Sequence, residues 1–543
     1  MHRALLGLVL VLVLVRGYSG PVLHDWPYIR GADQYAHAVM TNLVLQKGSA
    51  EEFLVYPPGF HTLSAVLVRL SGLAPLKLYS WLAPALLLLP PLACYTLGNR
   101  LWGRWCALAA SACAGLVLYS PWYFLNNATY GDLVAAEFLL VLSVLALALV
   151  IVFPSLRSVV LAAALGSSVV LYHSVATIYL ALLLATVALL LPFLLWRDRA
   201  RGWALLAALL LIGLLGTAQA WGPYDLSQTV GALLGRQAAT GTTQHAAMAI
   251  GTQEPFRLAK VPTELGQVVV WLGVLGLVVF TASLPGLSLP RALASALLPL
   301  WCVLLFAGSL TPLSGFPIRF HRDLGVPLAM LAGLALVIVL RSFHPRRPVA
   351  LIATCLVATV ALLGVWESLD RASAASNTVF MTPDIEAAGK WLNAHNEGGN
   401  IVVSPHRNQV PGNAMLAMGG YAGLPSYTPS QLRDPRVVPP RDQAKVEAAL
   451  WVLHHPASNR TVRELLRRYD IRYVVLYKRL RAGSYWAGSD PASWRPFLSL
   501  PRQYILVFEN ADVIVFKVRQ VGAAPASQRE EHLVGGAPGQ RRA

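Results

Sequence analysis

The sequence predicts a mainly α-helical protein, a bundle of about eleven transmembrane helices followed by a small α/β domain. Three observations lead to this prediction. Of the 543 residues, 56% are hydrophobic and only 13% are charged, whereas about 25% charged is usual for soluble proteins. The apolar residues fall into blocks of about twenty, the length of a helix that crosses the hydrocarbon layer. After residue 370 the composition becomes that of a soluble domain.

The predicted spans are separated by short polar connections. They cover residues 4–22, 76–97, 106–125, 133–153, 157–172, 175–196, 203–221, 266–284, 291–309, 324–340 and 348–366. Regularly spaced ten-residue amphipathic strands, which would indicate a membrane barrel, do not occur in the sequence. Segment 60–73 carries Arg69 and is predicted to lie along the interface. The first segment resembles a signal peptide, but it lacks a small-residue cleavage site, which favours an uncleaved anchor with a cytoplasmic N-terminus.

The net charge of +17 reports topology rather than nucleic-acid binding, because the basic residues cluster in short connections between spans. These clusters are Arg100 and Arg104; Arg197, Arg199 and Arg201; and Arg341, Arg346 and Arg347. Such loops are cytoplasmic, so loops 23–60 and 222–265 and the C-terminal domain are predicted to lie outside the plasma membrane. The cysteines fall in or beside apolar spans, and no disulfide framework or thiolate metal site is readable.

Three regions are predicted: a transmembrane domain over residues 1–369, an extracytoplasmic α/β domain over 370–520 and a disordered tail over 521–543. In the second region, strand-like runs at 400–404, 472–477, 503–509 and 513–518 alternate with helix-like stretches at 384–395, 442–453 and 461–469. The last two strands are separated by three residues and predict a hairpin.

Ionisable residues are scarce in the membrane region and gather at the predicted external ends of the spans. Each has a solvation cost there, which makes it a candidate for function. They are Asp25, Arg30, Asp33 and His37 after the first span, Asp132 at the start of another, His173 between two spans, and Arg319, His321, Arg322 and Asp323 before a late span.

Each candidate also has a structural interpretation. Asp33 and Asp132 each precede a helical stretch, where an aspartate caps free backbone N–H groups. Arg319 and Arg322 are three residues apart and Asp323 is four from Arg319, so the three share a helix face. That face is either an interfacial salt bridge or a clamp for phosphate, whose oxygens match the guanidinium fork.

His173 lies between Tyr172 and Ser174, where a histidine is more often satisfied by the backbone than used in chemistry. The segment Tyr-Pro-Pro-Gly-Phe-His at 56–61 indicates a rigid turn that ends the first external loop. A structural role is favoured for that segment.

Three features together resemble the GT-C superfamily of membrane glycosyltransferases. They are an acidic residue in the first external loop, the segment at 56–61 before an amphipathic helix, and Gly-Asn-Arg-Leu-Trp-Gly-Arg at 98–104. Members include protein O-mannosyltransferases, oligosaccharyltransferase catalytic subunits, aminoarabinose transferases and mycobacterial arabinosyltransferases. They are similar to this chain in having many spans followed by an external domain.

The resemblance implies a polyprenyl-phosphate sugar donor and assigns roles by position. Asp33 matches the essential first-loop aspartate, with Asp25 as its substitute, and Asp132 matches the second acidic site. Arg319 or Arg322 matches the arginine that contacts the donor phosphate. Asp132 is not part of an Asp-x-Asp pattern, so a divalent metal, Mg²⁺ or Mn²⁺, held by Asp33 and Asp132 stays an open question.

The expected reaction is a single inverting displacement that moves a sugar to an extracytoplasmic glycan, lipid or protein acceptor. Asp33 is the expected base and the arginines hold the phosphate, with Asp132, His37, His173 and Asp25 as further binding residues. Two alternatives remain: a lipid or polysaccharide transporter, which would place polar groups near the midplane, and a polymerase or ligase that uses a lipid-diphosphate donor. The sugar, the acceptor and the lipid chain length are not readable.

Overall fold

The structure is a computed structural model that describes most of the transmembrane region and part of the C-terminal domain. The described residues are 2–23, 33–48, 57–120, 129–221, 257–311, 317–343, 362–367, 383–403, 459–478 and 494–519, with a few others near 359 and between 444 and 457. All structural statements below concern these residues.

Helices long and apolar enough to cross a membrane dominate the described residues, which makes this an integral membrane protein. Eight such helices are present: His2–Ser19, Pro75–Leu101, Tyr130–Val152, Ser174–Arg197, Arg199–Gln219, Gln267–Gly286, Leu289–Ser309 and Pro317–Ser342. Two shorter apolar helices are Arg104–Val117 and Leu156–Tyr172. The predicted helical membrane bundle is confirmed, and the predicted span at 348–366 lies mostly outside the described residues.

The remaining helices of the membrane region flank these spans. The helix Asp33–Lys47, called the loop helix below, belongs to the predicted first external loop, and the interfacial helix is Gly59–Ser71. Short helices also occur at Leu258–Lys260 and Val261–Leu265. The domain boundaries and the side of the membrane on which each loop lies stay predictions.

Several spans are interrupted rather than straight. Pro75–Leu101 breaks at residues 87–88, because Pro90 and Pro91 supply no N–H to the carbonyls one turn before them. Wide π-helical turns occur at Cys113–Val117 and Ala135–Leu139. Glu137 lies in the second π turn, fully buried, and its Oε1 accepts a hydrogen bond of 2.6 Å from the Ser120 hydroxyl.

The helix Gly325–Phe343 packs closely against two neighbouring helices, and glycines lie at both contacts. A Cβ at Gly276 would lie 2.0 Å from the Leu331 carbonyl oxygen, and one at Gly333 would lie 2.3 Å from the Ala110 backbone nitrogen. Small residues therefore let these helices approach within backbone contact, which drives helix association in membranes. This packing fixes the helix at whose N-terminal end Arg319 and Arg322 lie.

The first helix packs into the bundle although most of its surface is exposed. Val13 is buried, and the Arg16 Nη1 donates a hydrogen bond of 3.0 Å to the Leu116 carbonyl in the first π turn. A π turn weakens the regular backbone hydrogen bonds of a helix. The Arg16 side chain therefore supplies a hydrogen-bond donor to a carbonyl whose burial in apolar surroundings without a partner would cost free energy.

The C-terminal domain contains a mixed sheet of four strands in the order β1-β2-β4-β3. The strands are β1 Asn400–Val403, β2 Ile471–Tyr477, β3 Tyr504–Glu509 and β4 Val513–Val518, with helices Pro383–His395, Asn459–Arg468 and Arg495–Leu498. β1 and β2 are parallel, and β3 and β4 form the predicted antiparallel hairpin. The small α/β domain is therefore confirmed in its described part, and half of the predicted helix 442–453 lies outside the described residues.

Candidate active site

Four of the predicted site residues meet although they come from three distant parts of the chain. Asp132 is the third residue of the helix Tyr130–Val134. His173 is the single residue between the helices Leu156–Tyr172 and Ser174–Ala188. Arg319 and Arg322 lie on the short helix Pro317–Asp323. We call Asp132, His173, Arg319 and Arg322 the charged side of the site.

Asp132 is the centre of the charged side. Its carboxylate is almost completely buried, and its Oδ2 accepts hydrogen bonds from Arg319 Nη1 at 3.1 Å and Arg322 Nη2 at 2.9 Å. Its Oδ1 contacts His173 Nδ1. The N-cap of this helix is Thr129, so Asp132 lies in the first turn and does not occupy the capping position. The carboxylate binds side chains from elsewhere in the chain.

His173 has polar partners at both ring nitrogens. Arg319 Nη1 lies 3.0 Å from Nε2, and because a guanidinium only donates, Nε2 accepts. On the other side of the ring, the Val175 N–H donates a hydrogen bond of 3.2 Å to Nδ1, which also contacts the carboxylate of Asp132. Burial lowers the pKa of His173, and the attraction of Asp132 opposes that change. The imidazole is therefore neutral and links the carboxylate to Arg319.

The two arginines differ in how fully their guanidinium groups are bound by carboxylates. Arg322 is 9% exposed, and Asp323 accepts from its Nε at 2.7 Å and from its Nη2 at 3.1 Å, in addition to the bond with Asp132. Arg319 is 30% exposed, its Nη1 contacts Asp132 and His173, and its side chain lines a pocket. Arg322 is thus part of the support of Asp132, and Arg319 faces the accessible space.

The expected metal does not fit Asp132 as its carboxylate is arranged. Two guanidinium cations share Oδ2 and the imidazole of His173 occupies the Oδ1 side, so a divalent ion at Oδ2 would meet positive charge and one at Oδ1 would meet the ring. Among the described residues, no group of three or more His, Cys, Asp or Glu side chains has a metal-binding arrangement. We derive no step through a metal, and metal binding by Asp33 stays a prediction.

The loop helix brings His37 to the same place. The Tyr79 hydroxyl donates a hydrogen bond of 3.1 Å to the His37 carbonyl and lies 2.7 Å from the Thr41 hydroxyl, which ties the loop helix to the helix Pro75–Leu86. His37 Nδ1 lies 2.8 Å from His61 Nε2, and both rings are buried. We call His37 and His61 the histidine pair.

Glycine makes this convergence sterically feasible. A Cβ at Gly59, the first residue of the interfacial helix, would lie 2.6 Å from the Leu171 carbonyl oxygen. One at Gly131 would lie 3.0 Å from the Tyr172 carbonyl oxygen. The interfacial helix and the helix that carries Asp132 therefore both pack directly on the backbone that precedes His173, which holds the histidine pair beside the charged side.

One residue of the histidine pair and three of the charged side line one small pocket with a cavity volume of about 10 Å³, room for about one water molecule. It accommodates a single polar group rather than a whole sugar ring. Its lining residues are His37, Thr129, Gly131, Asp132, His173 and Arg319.

Asp33, the predicted base, is the first residue of the loop helix, one helical turn before His37. Its side chain lies outside the described residues, as do Asp25 and Arg30. The sequence interpretation missed His61, which it treated as part of a rigid turn, because no spacing along the chain pairs residues 37 and 61. It also missed Glu137 and Ser120, whose contact depends on the π turn.

No family model and no curated protein matches the chain. Solved structures do match it. The apo oligosaccharyltransferase of Archaeoglobus fulgidus superposes with a TM-score of 0.57 at 12% identity, covering 92% of this chain and 72% of the other. Apo ArnT from Cupriavidus metallidurans superposes with a TM-score of 0.57 at 13% identity, covering 96% and 98%. The fold is that of the GT-C glycosyltransferases.

The arabinofuranosyltransferase AftD from Mycobacteria shares this GT-C fold at a TM-score of 0.54 and 15% identity, and the match covers 95% of this chain but 40% of that protein. Structures of the first two proteins hold ligands. One ArnT structure is bound to undecaprenyl phosphate, and the archaeal enzyme AglB was solved with an inhibitory peptide and a dolichol-phosphate. The archaeal oligosaccharyltransferase was also solved with Zn and sulfate.

Proposed function

We propose that the protein is a membrane glycosyltransferase that moves a sugar from a polyprenyl-phosphate donor to an extracytoplasmic glycan, lipid or protein acceptor. One observation carries the proposal: Asp132, His173 and two arginines from distant segments meet at a pocket that the loop helix also borders. Buried charges this costly are retained in membrane proteins where they serve a site. The polyprenyl phosphates bound by structural neighbours supply the donor class.

Arg319 is the proposed contact for the donor phosphate. Its guanidinium lines the pocket and is held in place by Asp132 and His173, so its orientation is fixed before the substrate binds. A phosphate oxygen that gains charge as the sugar departs would meet this fixed donor. Arg322, which is bound by two carboxylates, positions Asp132 rather than the lipid.

Asp33 is the proposed base. In the transfer, the acceptor oxygen forms a bond to the anomeric carbon while the bond from that carbon to the donor phosphate oxygen breaks. The acceptor proton passes to the Asp33 carboxylate, and the bonding electron pair leaves with the phosphate. A single displacement inverts the anomeric configuration. Position 33 is one helical turn from His37, which lines the pocket, and this spacing supports the assignment.

Replacing Asp33 by Asn tests the proposal. We expect the release of polyprenyl phosphate from short-chain polyprenyl-phosphate hexoses and pentoses, measured in membranes with matched expression, to fall by about 10²- to 10⁴-fold. Glu52→Gln changes an acidic residue of the same predicted loop to which no role is assigned, so it is the matched control and should retain transfer. Undiminished release in Asp33→Asn with loss in Asp25→Asn would move the base to Asp25.

The donor class is tested with the wild-type protein. Release from monophosphate donors and not from the matching diphosphates supports the proposal, and the reverse result would establish the polymerase or ligase alternative. A product that retains the donor's anomeric configuration would contradict the single displacement. Movement of intact lipid-linked sugar across vesicles, with no release of phosphate, would identify a transporter.

A further inference from the structure

Thr129 occupies the N-cap position of the helix that carries Asp132, but its hydroxyl does not cap that helix. The Thr129 carbonyl accepts a helical hydrogen bond of 3.2 Å from the Leu133 N–H, so the helix fixes the backbone of this residue. Its ψ of 60° departs from the extended conformation in which an N-cap hydroxyl reaches a backbone N–H of the first turn. The usual reason for a threonine at this position therefore does not apply.

The Thr129 hydroxyl oxygen is buried and makes no hydrogen bond to any residue that the structure describes. Burial of a hydroxyl without a hydrogen-bond partner costs free energy. Thr129 also lines the small pocket, together with Asp132, His173 and Arg319. A group that enters this pocket can give the hydroxyl the partner that the protein does not supply.

The polar groups of the pocket favour an occupant that accepts hydrogen bonds. Arg319 contributes a guanidinium, which only donates, and the Thr129 hydroxyl has one O–H to donate. The charge of the Asp132 carboxylate is already balanced by two guanidinium groups. The pocket has room for about one water molecule, which is the size of a single oxygen with its lone pairs. A phosphate oxygen carries charge and therefore accepts more strongly from these donors than a neutral hydroxyl does.

A water molecule is the competing occupant, because the pocket has the size and the polar groups that a buried water needs. The two occupants make different demands on Thr129. A structural water would stabilise the protein without any ligand, so the hydroxyl would contribute to thermal stability. A phosphate oxygen would use the hydroxyl only when the lipid is bound.

We propose that Thr129 is a binding residue for the donor phosphate, and that its hydroxyl donates a hydrogen bond to the phosphate oxygen that Arg319 contacts. This inference rests on the proposed function, in which the donor is a polyprenyl phosphate. Thr129 precedes Asp132 by three residues, and Asp132 holds Arg319. One turn of helix thus carries both a neutral donor for the phosphate and the carboxylate that positions the charged one.

Binding of undecaprenyl phosphate to the full-length protein in detergent tests the inference without turnover. Undecaprenol has the same chain and no phosphate, so the ratio of the two Kd values isolates the contribution of the phosphate. Thr129→Val keeps the shape of the side chain and removes the hydroxyl. We expect this variant to bind undecaprenyl phosphate about ten- to a hundredfold more weakly, as loss of a hydrogen bond to a charged group predicts, with undecaprenol binding unchanged. Thr129→Ser keeps the hydroxyl and should bind like the wild type.

Thr177→Val is the matched control. The Thr177 hydroxyl donates a hydrogen bond of 3.0 Å to the His173 carbonyl, and the residue does not line the pocket. This variant should keep the wild-type preference for undecaprenyl phosphate over undecaprenol. The melting temperature without lipid tests the water alternative. Thr129→Val should not lower it, because the hydroxyl has no protein partner to lose.

A Thr129→Val protein with the wild-type phosphate preference would overturn the inference. If its melting temperature also falls, the pocket holds a structural water. A wild-type protein that binds undecaprenyl phosphate no more tightly than undecaprenol would refute the proposed donor class and this inference with it. The two failures are distinguishable, because the first appears only in the variant and the second already in the wild type.

Discussion

The charged side and the histidine pair border the same pocket but are built on opposite principles. On the charged side, the Asp132 carboxylate pairs with both Arg319 and Arg322, which lie far from it in the sequence. Asp323 pairs with Arg322, the residue before it. In the histidine pair, burial lowers the pKa of His61 to about 4, and the two rings meet through a single contact of 2.8 Å between His37 Nδ1 and His61 Nε2. The comparison teaches that one border is a fixed electrostatic template and the other is held by the packing of aromatic rings and one contact between imidazoles.

This difference has a consequence for substrate orientation. A phosphate gains most beside a preorganised guanidinium. A donor would therefore enter with its phosphate toward Arg319. The following variants change one border at a time.

Asp132→Asn should have the largest effect. The amide leaves Arg319 and Arg322 beside each other without the carboxylate that they share, and Arg322 is almost completely buried. Removing one partner of a buried charge network costs about 3–5 kcal/mol. We expect a large drop in thermal stability in detergent together with the loss of transfer.

A double variant shows whether repulsion is the cause. Combining Asp132→Asn with Arg319→Gln removes one of the two cations that repel each other. Arg319→Gln should therefore lower the thermal stability less in the Asp132→Asn protein than in the wild type. Strictly additive losses in a double-mutant cycle would mean that Asp132 stabilises the helix turn and not the arginines.

Arg319→Gln should separate chemistry from stability. Its side chain is 30% exposed and Arg322 keeps both of its carboxylates, so the melting temperature should change little. Loss of a preorganised donor at the departing phosphate predicts a fall in transfer of about 10²- to 10³-fold, measured as polyprenyl-phosphate release. Transfer within a few fold of wild type would exclude Arg319 as the phosphate contact.

The residues of the charged side and His37 were selected from the sequence, and His61 was not. Scarce charges at the same predicted end of several spans indicate a shared location, which is why Asp132, His173, Arg319 and Arg322 could be selected. His61 lies in the Tyr-Pro-Pro-Gly-Phe-His segment at 56–61, which was interpreted as a rigid turn. The contact of His37 with His61 depends on the angle between the loop helix and the interfacial helix, which no local pattern encodes.

The fold shows the same division between composition and geometry. The spans follow from apolar length, and the β3–β4 hairpin follows from Val- and Ile-rich runs separated by three residues. The π turn at Ala135–Leu139 was not predicted, because a single inserted residue leaves hydrophobic periodicity almost unchanged. It is this turn that contains the buried Glu137.

The histidine pair should respond to acid. His61 has a pKa of about 4 in the folded protein and an ordinary value of 6.5, so between these values the unfolded chain binds more protons. Its contribution to the unfolding free energy is constant above pH 6.5 and falls as the pH decreases toward 4, by up to about 1.4 kcal/mol per pH unit. Denaturation of His61→Gln should therefore show a shallower pH dependence, since His173 titrates equally in both proteins. Equal slopes would mean that His61 has the same pKa in the folded and the unfolded chain, and that burial does not lower it.

The smallest effect is expected for an ion pair of the C-terminal domain that has the same chemistry as the charged side but lies in water. Glu397 Oε1 is 2.5 Å from Lys517 Nζ, and this contact lowers the pKa of Glu397. The two side chains are 57% and 33% exposed, so solvent screens their attraction. Glu397→Gln should leave the melting temperature unchanged within error at low and high salt. A drop close to that of Asp132→Asn would show that burial is not what makes the charged side costly to break, and the electrostatic template would lose its physical basis.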